Sequence, residues 1–409
     1  MTQILPLQNR FSMIATGLAF SLFTSMVSLP AMADRYVEQY GKAELDISHF
    51  WQKSAYARQQ DSFDHSQIKP GLLVEQDDYE LIIEPRISTG VYGAGRIDFA
   101  EAHISRRFDK FDIRLGNSVE FWGKVESFNP VDILNSYDYS RGLMRGVKLG
   151  TTMVKLSAPV GDGQIDAYLL PRFSENIYPG QKARHRPALP IVNHGETYSS
   201  GANRSDMGKA LRWTGYFGNV DLGLSYYSAT GNAPRLLPQV DGTLKPDYSS
   251  ITQFGLDVQY LAGDTALKAE IIDRKGQYNR VGIERRYQAA VLGIEHSLYG
   301  VAGSDYDLVL LGEFASDSRK KDSHTGFQKD VVGGFRLLLN DIDDSVFLVL
   351  ATHDLDYKAQ TLRASYSTRL TDSFSLEALV STNNRLVKDV NNAAFAKDKY
   401  IGAMITYSW

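Results

Sequence analysis

Lys124, Glu126 and Asp132 fall within one short stretch rich in turn-forming residues. Both charge signs held so close together can touch a passing polar solute, much as charged rings set selectivity in pores. Arg86, Arg114, Glu120, Arg212, Arg336 and Arg363 recur at alternate positions of extended segments and are candidates for the same task. Glu80, Glu84, Arg107, Lys268, Glu270, Glu313 and Glu377 share their orientation. Alternate residues of a strand lie on one face, so these charges would line an interior. Two uses fit. Acid–base pairs on neighbouring strands would stiffen and solvate a wall, or a subset would form a screening ladder at the narrowest point. With both signs present, neither a cation nor an anion preference follows.

Other chemistries find less support. His103 and Ser105 share a face, but no third partner stands at a spacing that would complete a hydrolytic set. His185 and His194, with Glu196, lie in one long polar stretch, where histidines are ordinarily solvated rather than metal-bound. No phosphate-cradling glycine loop or zinc-ligand spacing appears, so no cofactor and no metal is expected. The absence of cysteine excludes thiolate chemistry, disulfides and a lipoprotein anchor. A net charge of -4 without a basic patch argues against a nucleic-acid partner. An enzyme is not expected.

The elements that would position these charges are strands. In the last stretch, Ile401, Ala403, Ile405, Tyr407 and Trp409 fall on one face, and Tyr400, Gly402, Met404, Thr406 and Ser408 on the other. A period of two with an apolar outer face and a small or polar inner face suits a strand between lipid and a wet lumen. Similar alternation recurs over 79–88, 111–122, 220–229, 358–369 and 373–383, at about the length a tilted membrane-crossing strand needs. Short turns at 108–110, 160–163, 218–219, 262–264, 341–344 and 371–372 take turns with longer polar stretches near 123–143, 173–208, 230–249, 275–284, 316–328 and 384–397. Barrels keep that rhythm and sandwiches do not. Threading backward from Trp409 gives an all-β, antiparallel transmembrane barrel of 16–18 strands over residues 34–409. The candidates 41–51 and 68–75 decide between the two counts, and Pro70 and Gly71 weaken the second. Ahead of the barrel, residues 1–33 have the form of a signal peptide. Arg10 precedes an apolar run from Phe11 to Leu29, and Ala31-Met32-Ala33 supplies a small-x-small cleavage pattern before Asp34.

Residues 116–138 hold the most distinctive motif: Gly116, then Trp122-Gly123, Asn129-Pro130-x-Asp132, Asn135 and Asp138. It resembles a family of porin-like outer-membrane barrels of proteobacteria, largely of unknown function and distantly akin to alginate-export porins. Leu170-Pro171-Arg172-Phe173 and Arg186-Pro187-Ala188-Leu189-Pro190 are similar to that family's proline-flanked loop. The sequence departs from the pattern at Asn117, where a basic residue is usual, and at Ser136, where proline is usual. Trp122 is expected in an aromatic girdle where a strand leaves the membrane. Gly123 and Asn129-Pro130 would turn the chain, and Asp132 or Asn135 would cap local donors. Tyr407 and Trp409 resemble the terminal signal read by the barrel assembly machinery of Gram-negative bacteria.

The resemblance implies an outer-membrane channel in contact with lipid and lipopolysaccharide. It would pass a small-molecule or lipid-like solute through a lumen narrowed by the loops near 123–143 and 173–208. The alternative is a non-conducting surface-binding barrel, or the outer partner of an envelope transporter. In either case the polypeptide from Asp34 onward stays dispersed only in detergent. A monodisperse monomer in detergent-free buffer would overturn the barrel expectation.

Overall fold

The computed structural model describes residues 35–90, 93–323 and 325–409. The leader expected over residues 1–33 lies outside the described residues. Eighteen antiparallel strands among the described residues close into a barrel. The first nine are β1 (Arg35–Phe50), β2 (Ser62–Gln76), β3 (Tyr79–Gly90), β4 (Gly93–Arg107), β5 (Asp112–Ser118), β6 (Thr151–Val160), β7 (Gly163–Leu170), β8 (Gly208–Phe217) and β9 (Val220–Thr230). The second nine are β10 (Leu244–Ala262), β11 (Thr265–Lys275), β12 (Tyr287–Leu298), β13 (Asp307–Asp317), β14 (Lys329–Leu338), β15 (Val346–Asp354), β16 (Gln360–Arg369), β17 (Phe374–Asn384) and β18 (Tyr400–Ser408). Each pairs with the next, and β18 pairs with β1 from Lys42↔Ser408 to Phe50↔Tyr400.

The count of eighteen holds although β2 contains Pro70 and Gly71. Pro70 stands opposite Gly41 on β1, and Gly41 gives both its backbone bonds to Trp409, at 3.1 and 3.2 Å. In an antiparallel ladder such a residue makes no bonds to its other neighbour, so the missing N–H of Pro70 costs the β1–β2 pair nothing. The loss falls on the β2–β3 ladder, where matching stops at Ile68↔Ile87 and resumes at Leu72↔Ile83. Two boundaries also shift. β5 ends at Ser118 rather than 122, because side-chain acceptors draw the chain off the ladder: Val119 N donates to Glu101 Oε1 (2.9 Å) and Glu120 N to Asn135 Oδ1 (2.8 Å). The return strand therefore begins at Thr151 rather than 145.

Side-chain faces follow the alternation. Leu211, Leu224, Phe254, Ile271, Leu292, Phe314, Phe347, Ile401 and Ile405 all stand exposed on the outer surface. So broad an apolar belt around a closed sheet fits hydrocarbon rather than water. Inside lie buried polar side chains, among them Asp46, Arg86, Arg212, Asp257, Glu270 and Glu313. Turns such as 77–78, 161–162 and 263–264 gather at one end, and the long connections 119–150 and 171–207 leave from the other. Replacing the belt residue Leu292 by arginine should cost ~2–4 kcal/mol, while arginine at lumen-facing Ser365 should cost little. Reversible urea unfolding of the lipid-embedded protein measures both.

Candidate functional site

The segment 119–150, between β5 and β6, folds into the barrel and crosses it. Lys124 Nζ pairs with Asp221 on β9, and Glu126 Oε2 accepts from Arg336 Nη2 on β14 at 3.0 Å. β14 lies nine places from β5 in a ring of eighteen, so the segment reaches the opposite wall. Two wall carboxylates pin it there through its backbone. Glu270 on β11 accepts from Lys124 N (2.7 Å), Val125 N (3.3 Å) and Val131 N (3.4 Å). With its amide nitrogen facing the two acceptors, Asn129 adds bonds to Glu270 Oε1 (2.9 Å) and Val125 O (3.1 Å). Glu313 on β13 accepts from Glu126 N (2.5 Å), Ser127 N (3.0 Å) and Ser127 Oγ. Carboxylate–amide bonds of this kind are charge-assisted and roughly twice as strong as neutral ones.

This geometry accounts for the motif. A Cβ on Gly123 would come within 2.8 Å of Glu270 Oε1, so only glycine lets the chain wrap the carboxylate. Pro130 O accepts from Arg274 Nη2 at 3.5 Å. Asp132 pairs with Lys148 at 2.6 Å, and burial pushes its carboxyl above the usual range against the pull of that lysine. Trp122 is the correction. It is 2 % exposed and packs edge-on to Tyr168 under the Arg212 guanidinium, inside the barrel rather than in a girdle at its rim. Once the strand stops at Ser118, Trp122 belongs to the crossing segment. With Val125, Val131, Ile133 and Leu134 it forms an apolar cluster against the inner wall of β6–β13.

A second segment, 171–207, closes over the loop end. Arg184 is wholly enclosed. Its guanidinium donates to Asp398 Oδ1 (3.0 Å), Asp61 Oδ1 (2.5 Å), Gln52 O (3.0 Å) and Lys397 O (2.8 Å), tying three long loops together. His185 beside it is boxed by Phe50, Tyr400 and Phe395. Burial, with Arg145 and Arg184 nearby, pulls its imidazole down to about 3, so it is neutral at pH 7. His194 is exposed, and among the described residues no group of three His, Asp or Glu forms a metal set. His103 is buried against Glu101 at 3.3 Å, while Ser105 Oγ accepts from Arg114 Nε at 3.2 Å.

The remaining candidates divide sharply. Arg86 is buried on Asp98 (2.6 Å), and Arg212 grips Asp257 with two bonds of 2.8 and 2.9 Å. Glu120 is held by Lys155 at 3.1 Å and lies 3.8 Å from Arg114. These stiffen the wall. Arg363 on β16 is exposed and has no hydrogen-bond or ion-pair partner among the described residues. It borders a cavity of about 290 Å³ between the crossing segment and β1, β16, β17 and β18. The inner half against β6–β13 is packed, and this opposite side stays open and charged.

Residues 50–301 match the model of a family described as Protein of unknown function (DUF1302). The chain belongs to that family. No curated protein matches the sequence. Among solved structures, the BenF-like porin from Pseudomonas fluorescens is similar at TM-score 0.54 and 10% identity, covering 92% of this chain and 98% of the porin. OpdQ of Pseudomonas aeruginosa is similar at 0.53 and 10%, over 92% and 99% of the two chains. OccK2 (OpdF) of Pseudomonas aeruginosa, in complex with glucuronate, is similar at 0.52 and 12%, over 91% and 97%. At such identities the likeness establishes the barrel fold.

The DUF1302 stretch contains both lumenal segments and the Glu270 anchor, but Glu313, Arg336 and Arg363 lie beyond it. Sequence reasoning placed Glu270 and Glu313 on the inner face without seeing their task. Their partners are backbone amides more than a hundred residues away, and backbone amides leave no trace in a sequence. Glu270→Ala would strip the acceptor from three amides and the Asn129 side chain, at a local cost of about 3 kcal/mol. Protease nicking within 119–150 of the otherwise folded barrel should rise accordingly, with Arg363→Ala unchanged from wild type.

Proposed function

We propose that this chain is a passive outer-membrane channel of a Gram-negative bacterium, carrying a small polar solute through the open side of its lumen. The observation that carries the reading is the division of the interior. One half is filled by the apolar packing of 119–150 against β6–β13, and the other keeps a charged cavity beside unpaired Arg363. A barrel built only as an anchor or a receptor has no need of a lumen occluded on one side alone. The belt of exposed apolar side chains sets the membrane. Its outer leaflet would bring lipopolysaccharide to the loop end. The paired aromatics Tyr407 and Trp409 at the β1–β18 seam would serve barrel assembly. Lys124, Glu126 and Arg336 form one rim of the passage, and Arg363 stands on its open wall.

The Arg184 knot favours a second reading, in which the loop end stays shut and the barrel binds at the surface or works with an envelope transporter. Single-channel recording separates them. Wild-type protein in a planar bilayer should give discrete open-channel steps. Arg184→Met, which leaves two aspartates without their shared cation, should raise conductance severalfold as 171–207 lifts from 51–61 and 385–399. Silence from both proteins would remove the channel reading.

A further inference from the structure

The cavity on the open side is lined by three guanidinium groups, Arg141, Arg145 and Arg363, and by the carboxylates Asp46 and Glu377. These five charged groups do not have the same freedom. Arg145 is bound to Asp46 and donates to Ser48 Oγ at 3.0 Å, while Arg141 reaches Glu44 at 3.4 Å and Asp46 at 3.8 Å. Asp46 is 1 % exposed between them. Arg363 and Glu377 differ from the rest. Neither has an ion-pair or hydrogen-bond partner among the described residues, and they do not reach each other within 4.0 Å. Glu377 pairs in register with Ser367, four residues along β16 from Arg363. That offset separates their backbone levels by roughly 13 Å at the rise of a strand, a gap that two long side chains narrow from both ends. Leu379 stands between their levels on β17, and Met404 beside Glu377 and Met144 from the crossing segment add further apolar lining.

An open cation and an open anion on one wall, with an apolar floor between, complement a ligand carrying the opposite charges at its two ends. We propose that this cavity selects organic zwitterions with a short apolar body, the chemistry of free amino acids and short peptides. The inference rests on the channel reading above. A solute with only a carboxylate satisfies Arg363 and meets repulsion at Glu377; a solute with only an ammonium meets the reverse. Both charges of a zwitterion are matched while it crosses, and neither is held by a cluster from which escape is slow. Conduction needs attraction of that moderate kind.

One peptide body in four charge states tests this. Alanylalanine is the zwitterion; its N-acetylated form is an anion, its C-amidated form a cation, and the doubly blocked form is neutral. Swelling of liposomes holding the full barrel should be about fivefold faster with alanylalanine than with the doubly blocked form, the scale of two solvent-screened ion pairs. Arg363→Gln should abolish that advantage and favour the cation, whereas Glu377→Gln should abolish it and favour the anion. Glu377→Gln is isosteric and Arg363→Gln shortens a side chain at a lumenal position, so an unchanged thermal unfolding midpoint confirms that the barrel is intact in both. Conducting wild-type channels that pass all four forms at rates set by size alone overturn the assignment and leave the channel standing. Absent conductance and absent swelling together overturn both.

Discussion

Hydrocarbon offers no partner to a backbone amide, and an unpaired amide there costs several kcal/mol. An open sheet in a bilayer therefore cannot persist, because each edge would present a row of such groups. The register from Lys42↔Ser408 to Phe50↔Tyr400 removes both edges at once. Trp409 extends the seam by one pair, and its ring lies where any side chain at position 41 would stand, which is why Gly41 faces it. Everything inside the barrel is positioned relative to that closure. A wall without ends gives fixed distances across the lumen, and only fixed distances allow a segment leaving β5 to find acceptors on β11 and β13.

The crossing segment shows how a polar interior can still have a dry core. Glu270 and Glu313 take up amides that no strand partner satisfies, and buried donors left without acceptors would cost about 1–3 kcal/mol each. With those amides bound, the apolar side chains of 119–150 are free to pack against the inner wall of β6–β13. The polar anchors and the apolar cluster are thus mutually dependent. The same bonds hold 119–150 off part of the wall of β16–β18, so one set of interactions both fills half of the lumen and leaves a charged cavity in the other.

Charged side chains on the lumenal face serve two ends. Arg212 with Asp257, Arg86 with Asp98 and Lys155 with Glu120 are mutually neutralised, and they replace the water that polar inward positions would otherwise require. Arg184 does comparable work above them, where four acceptors from two other loops surround it. Arg363 and Glu377 are exceptions on the uncovered side. Position relative to the crossing segment, rather than residue type, separates the paired charges from these two open ones.

Much of the wall is legible in the amino-acid sequence. Side chains alternate with a period of two wherever one face meets lipid, so Ile401, Ala403 and Ile405 announce an outer face, and Asp221, Gly223 and Ser225 an inner one. Short turns and long loops follow because strands of equal height must reverse at two different surfaces. Proline at 70 argued against a strand only because its orientation toward β3 could not be known from local sequence. Contacts between distant segments were a different matter. Trp122 carries the same letter whether it faces lipid at a girdle or packs beneath Arg212, and Arg363 resembles every other inward arginine until its neighbours are in place. Local pattern determined the strands because the membrane imposes its period on each one separately. The tertiary structure alone decided which charges are spent on one another, since that depends on where a thirty-residue loop lands across a closed ring.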